Sequence, residues 1–136
     1  MILKNGIITP DGTELISEHV HDFKMHIDKI TGKEYAVDGG NEYQRLLGDM
    51  NDCKIIFIKV NDNFSDEEFE LIRENFKWDT RGKDGMSPYK QKKLKELSNS
   101  HLQAILDTQK HLSKQTIGIF TFEMKYRIKN SIIIKD

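Results

Sequence analysis

Apolar and polar residues alternate along the first forty positions, and a period of two is the signature of strands. In NGIITPDGTELISEHV a Pro10-Asp11-Gly12 turn separates short apolar runs. Proline presets the first turn dihedral there, and glycine takes the conformation that other residues avoid. Beyond the turn, Leu15, Ser17, His19, His21, Phe23, Met25 and Ile27 share one parity, and Ile16, Glu18, Val20, Asp22, Lys24, His26 and Asp28 share the other. A strand through this stretch places His19 beside His21 on the Phe23 side, with Asp22, His26 and Asp28 facing the opposite way. Thr31-Gly32 reads as a hairpin tip, Tyr35 and Val37 as the return strand, and Gly39-Gly40 as its end. CKIIFIKV, residues 53–60, is β-branched and unbroken and reads as an internal strand.

Elsewhere the spacing turns helical. Asn41 is placed to cap a two-turn helix that ends at Gly48, with Tyr43, Leu46 and Leu47 as its apolar residues. In NFSDEEFELIRENFKW, Ser65 and Glu68 form a capping box, and Phe64 and Phe69 fill the staple positions. Phe69, Ile72 and Phe76 then recur at the spacing of a buried helical stripe, with Leu71 beside it. DTRGKDGMSPY, residues 79–89, carries two glycines and a proline and reads as a loop. A basic segment follows, then a helix with Ser100 and Gln103 as its capping box and Leu102, Ile105, Leu106 and Leu112 as its stripe.

The tail satisfies both periods. Phe120, Phe122, Met124, Tyr126 and Ile128 alternate with polar residues as in a strand, whereas Ile117, Phe120, Met124 and Ile128 form one helical stripe. Periodicity alone favours the strand. Together these elements predict one α+β domain over 1–136, with an N-terminal antiparallel hairpin sheet, a central strand at 54–60, and two or three helices packed against it.

Composition narrows the picture without naming a function. The chain has 136 residues, 37% of them hydrophobic and 32% charged, with 12 Phe, Tyr and Trp, which is enough for a core and argues against wholesale disorder. Cys53 is the single cysteine, so there is neither an internal disulfide nor a cysteine-based zinc site, and in its strand it reads as structural. The N-terminus shows no signal-peptide pattern, and no apolar run approaches the roughly 20 residues that span a bilayer, so a soluble intracellular protein without membrane contact is expected.

The net charge of -1 hides a division, because residues 1–76 sum to -8 while 77–95 carry +5 and 110–136 carry +4. That distribution excludes a uniformly cationic histone-like binder and leaves room for a basic face.

Two places carry candidate chemistry. SEHVHDFKMHID holds three of the five histidines, and His19 and His21 at i, i+2 on a strand can both reach one metal. His26 and Asp38 complete the candidate ligand set, with Asp84 as a further donor if the fold brings it near. Against that stands the plainer reading of polar side chains on a half-exposed strand.

The second place is WDTRGKDGMSPYK, where Arg81 and Lys83 suit phosphate or carboxylate and the glycines permit close backbone approach. Trp78, Arg81, Lys83, Asp84, Tyr89 and Lys92 are the candidate binding residues, although Trp78 also reads as an anchor of the loop in the core. The motifs GxxxxGK[ST], GxSxG, HExxH and GxGxxG are all absent, so nucleotide-hydrolase and nucleophilic-hydrolase chemistry is unsupported, and no catalytic residue is assigned.

The stretch NGIITPDGTELISEHVHDFKMHIDKITGKEYAVDGG with Tyr43 and Arg45, and the later WDTRGKDG with Leu97, Ser98, His101, Ala104, Ile105, Leu106 and Gln109, resembles a family of short uncharacterised proteins encoded by large tailed bacteriophages. The distinctive matches are the DGT turn, HxHD at 19–22, His26 with Asp28, VDGG at 37–40 and RGKDG at 81–85. The chain departs from the family pattern in its acidic 61–70 and its apolar 117–122. The resemblance implies a helix at FTFEMKYR, against the alternation. It carries no activity, so no role passes to these positions.

By analogy of class alone, it implies a phage accessory protein in the host cytoplasm that binds a host or phage macromolecule through the basic, glycine-containing loop face. A protein partner is favoured and nucleic acid is the other candidate. The alternative is a small metal-dependent enzyme, with a nuclease as its first candidate, using the N-terminal histidines. The residues imply no cofactor beyond a divalent metal under that alternative, and they leave the oligomeric state open.

Overall fold

The alternation of the N-terminal half resolves into six short strands. The computed structural model describes residues 1–81 and 85–136, and contacts divide the chain into two compact units, Met1–Phe64 and Ser65–Asp136. The first unit contains β1 (Ile2–Ile8), β2 (Glu14–Ile16), β3 (Lys24–Ile27), β4 (Glu34–Asp38), β5 (Arg45–Leu47) and β6 (Lys54–Lys59). They form two antiparallel sheets, ordered β2-β1-β6 and β3-β4-β5. Ile7, Leu15, Tyr35 and Val37 bury their inward faces between the sheets, with Leu46, Met50 and Cys53 packed alongside.

Three expectations change within this unit. The strand through 14–28 breaks, because Ser17 and Asp22 hydrogen-bond locally in place of a ladder. Ser17 Oγ donates to the Asp22 carbonyl at 2.6 Å, and Asp22 Oδ2 accepts from the Glu18 N–H at 2.9 Å. Short polar side chains compete with extended pairing in this way. His19 and His21 therefore lie in a bend and turn, off any strand face.

Residues 41–48 form no helix, since the Glu42 and Tyr43 N–H groups turn back to the Gly39 carbonyl and β5 then pairs with β4. The strand at 54–59 is at a side of its sheet, with β1 in the middle. Its Ile55 and Phe57 remain 48% and 45% exposed, so its apolar run does not report burial on both faces. Lys54 and Lys59 bracket it, a common protection of strand edges.

Asn5 joins the two sheets. Its buried amide donates to the carbonyls of Asp38, Gly40 and Tyr43 at 3.2, 3.0 and 2.8 Å, and its oxygen accepts from Gln44. This approach requires the double glycine. Gly40 has φ +52°, and a Cβ there would lie 2.1 Å from the His19 carbonyl carbon.

The second unit contains α1 (Asp66–Asn75), β7 (Lys77–Thr80), β8 (Lys90–Lys93), α2 (Asn99–Thr108) and α3 (Lys114–Lys129). The α+β class with an N-terminal antiparallel sheet and three helices is thus observed. The Ser65–Glu68 capping box opens α1 as its spacing predicts. Helix α2 starts earlier than expected, because Ser98 is the residue whose Oγ accepts the His101 N–H, at 3.1 Å. The basic segment before it is strand β8, paired with β7.

The tail is helical, and the strand-like alternation is explained by what surrounds α3. Phe120 packs edge-on against Phe76 and Trp78, while Phe122 and Tyr126 meet Phe69 of α1. The helix is covered over a wide arc, so residues two apart are both held. Full burial of a ring such as Phe120 contributes about 1.5–3 kcal/mol. At its centre the buried Glu123 accepts from Arg73 Nε at 2.6 Å and Arg127 Nε at 2.9 Å. Arg127 also reaches Asn99 Oδ1 and the Leu94 carbonyl, so the buried charges are hydrogen-bonded as well as paired. No helix among the described residues is long and apolar enough to cross a membrane.

Candidate metal centre and binding loop

The tight turns of the first unit bring two aspartates beside one histidine. Asp11 lies in the turn between β1 and β2, His26 on β3, and Asp28 at the start of the turn into β4. Their ligand atoms lie within 4.8 Å of one another, and no other such group of His, Cys, Asp or Glu occurs among the described residues. His26 Nε2 is 2.8 Å from Asp11 Oδ2. Asp28 is buried, and Asp11 and His26 side chains keep 7% and 23% of their surface.

Both carboxylates are held by backbone donors. Asp11 Oδ2 accepts from the Lys29 N–H at 2.9 Å, and its Oδ1 accepts from the Thr13 N–H and the Thr9 hydroxyl. Asp28 Oδ1 accepts from the Asp11 N–H at 2.8 Å, and its Oδ2 from the N–H groups of Ile30 and Thr31 and the Thr31 hydroxyl. The Lys29 N–H, with Thr13 and His26, holds the Asp11 carboxyl well below the usual carboxylate range. For Asp28, burial pushes the carboxyl up, but donors from Thr31 and Asp11 outweigh it and leave it lowered. Two ionised carboxylates and an imidazole at one point are a ligand set for a divalent cation.

Of the sequence candidates, only His26 enters this group. His19 and His21 are exposed in the 19–21 turn. Asp38 is engaged by Arg45 Nη2 at 2.8 Å and by the Gly39 N–H. Asp11 was legible only as a turn residue, and Asp28 only as sharing the parity of His26. What joins them is the docking of one hairpin turn on another, which strand parity does not encode. Burial, with the charges of Asp52, Asp28 and Asp49, pushes the Cys53 thiol up.

Among the described residues, the binding candidates Trp78, Arg81, Tyr89 and Lys92 lie in the second unit on and beside the β7–β8 hairpin. Trp78 pairs across the strands with Lys92 and, half-buried, packs on Phe120 at 5.2 Å between centroids. Arg81 sits over the Tyr89 ring at 4.8 Å, and both are exposed. The Ser87 N–H closes the loop by donating to the Arg81 carbonyl at 2.8 Å. Lys83 and Asp84 lie outside the described residues. No family model matches the chain, and neither a curated protein nor a solved structure does.

Proposed function

We propose that this chain binds a divalent metal ion through Asp11, His26 and Asp28, and that its chemistry resides at that ion. This is the metal-dependent alternative drawn from the sequence, with its ligands relocated from His19, His21 and Asp38. One observation carries the reading: an imidazole nitrogen and two carboxylate oxygens within 4.8 Å of one another. A mixed nitrogen and oxygen donor set suits zinc, manganese or iron better than calcium, which takes oxygen ligands.

The hydrogen bonds cut both ways. They keep the carboxylates ionised and oriented, as a cation requires. They also occupy oxygen lone pairs, so an ion must displace the proton between Asp11 and His26 and compete with N–H donors for the rest. The affinity is accordingly modest and is lost as pH falls, because binding releases protons. A bound ion supplies Lewis-acid polarisation and an activated water, which makes phosphoester hydrolysis the reaction class to assay.

Equilibrium dialysis with Zn²⁺ and Mn²⁺ tests the reading. The expected result is one ion per wild-type chain and none in His26→Ala of unchanged circular dichroism. Equal uptake by the variant, or none by the wild type, overturns it.

A further inference from the structure

The two faces of β3 meet different surroundings. Register pairs His26 with Tyr35 and Lys24 with Val37, and Tyr35 and Val37 belong to the buried core. Met25 and Ile27 therefore point away from that core, since successive strand side chains alternate. Across the same sheet Met25 stands opposite Ala36, and Ala36 opposite Leu47, so the three form one row over β3, β4 and β5. Phe23, just before β3, shares the parity of Met25 and Ile27.

This outer face is apolar and open. Phe23, Met25, Ile27 and Leu47 are 47%, 51%, 62% and 46% exposed. Together they display roughly 400 Å² on one face, the size of patch that marks an interaction site rather than scattered surface residues. That is about half of what each partner contributes to a standard interface.

The charged groups at the two ends of the face select the occupant. Glu34, opposite Ile27, stands at one end of β4, and Arg45, held to Asp38 at 2.8 Å, stands at the other. About 13 Å of strand separates Glu34 from Asp38. Arg45 keeps 59% of its side chain exposed, so its guanidinium has donors left beyond those facing Asp38. An acid at one end and an arginine at the other make the face complementary to itself in reverse. A two-fold axis across β4 at Ala36 lays the sheet on a second copy with the strands antiparallel. Each Glu34 end then meets the Arg45 end of the other sheet. Ala36 is the residue that meets its own copy on that axis, and its small side chain permits the ~10 Å spacing of packed sheets. A lipid surface would offer Glu34 no such counter-charge.

We propose that the outer face of the β3-β4-β5 sheet is a homodimer interface, occupied by a second copy of this chain packed sheet on sheet. The proposal does not rest on the metal site, because His26 projects from the opposite face of β3.

Sedimentation velocity of the full chain over a micromolar to millimolar series tests it. The expected result is a concentration-dependent passage from one chain mass to two. Met25→Lys and Leu47→Lys each weaken the dimer at least about tenfold. Glu34→Arg weakens it as well, and Glu34→Arg combined with Arg45→Glu restores it to within about threefold. Ile128→Asp, at an exposed position of α3, leaves it unchanged, and circular dichroism confirms that each variant is folded.

A monomer at every concentration overturns the proposal, as does a dimer indifferent to both lysine variants. A double exchange that stays as weak as Glu34→Arg alone contradicts the reversed docking and overturns it too. A monomer that floats with phosphatidylcholine vesicles, and is released from them by Met25→Lys, assigns the face to a lipid surface instead.

Discussion

His26 Nε2 lies 2.8 Å from Asp11 Oδ2, so a strand residue of one hairpin is tied to the turn of another. The link is completed by the Asp11 N–H, which donates to Asp28 Oδ1 at 2.8 Å. Each aspartate thus holds the other's turn. Asp28→Asn keeps the size but places an amide donor among N–H donors, and Asp28→Ala removes the acceptors altogether. Thermal unfolding is expected to shift downward in both variants, and further in Asp28→Ala. An unchanged midpoint in Asp28→Ala would show that these turns stand without the clasp.

The pH dependence divides by unit. Asp11 and Asp28 are both lowered in the folded chain, so the stability they contribute is complete above the ordinary carboxylate value near about pH 4 and is lost as pH falls through their folded values. The Tyr126 hydroxyl donates to Glu70 at 2.6 Å, and this hydrogen bond, with burial and the Glu70 charge, raises it. Its contribution is complete below the ordinary tyrosine value near about pH 10 and is lost as pH rises through the folded value. Amide exchange across a pH series is expected to show residues 9–31 opening first in acid and α1 and α3 opening first in alkali. The reverse order would contradict both assignments.

Glu123 is the counter-ion of two arginines in the core of the second unit, with Arg127 2% exposed. Glu123→Ala leaves both guanidinium groups without their carboxylate and is expected to cost about 3–5 kcal/mol in denaturant unfolding. A loss below about 1 kcal/mol would mean that Asn99 and the Leu94 carbonyl suffice to hold Arg127.

Gly40 accommodates both a positive φ and the close passage of the His19 backbone. Gly40→Ala is expected to destabilise the protein by more than about 1 kcal/mol, since the added methyl meets backbone rather than a flexible side chain. Gly32→Ala, at φ +68° against +52° for Gly40, meets nothing within 4 Å and isolates the dihedral term. Equal losses in the two variants would contradict the steric part of the account.

The capped helix α1 and the paired strands on either side of Asp11 were legible because their signals are local. Ser65 and Glu68 are three residues apart, and the turn at Pro10-Asp11-Gly12 lies within one hairpin. The helix α3 was not legible from its period, since Phe120 and Phe122 are held by different neighbours and their spacing reports two contacts, not one face. The charges of Glu123 and Arg127, four apart and both buried, were the helical signal that an apolar count passes over. The candidate metal centre shows the same limit more sharply. Its histidine was singled out, but Asp11 enters through a turn 15 residues away, and the attractive HxH spacing fell where Ser17 and Asp22 turn the chain.

The proposed metal ion would bind Nε2 of His26 beside Asp11 and Asp28. Two-dimensional proton–nitrogen correlation of the histidine side chains during addition of Zn²⁺ observes that nitrogen itself. The predicted result is a saturable shift of His26 Nε2 with one equivalent of ion, abolished in Asp11→Asn, while His19 and His21 do not move. Shifts confined to His19 and His21, or none at His26, would contradict it.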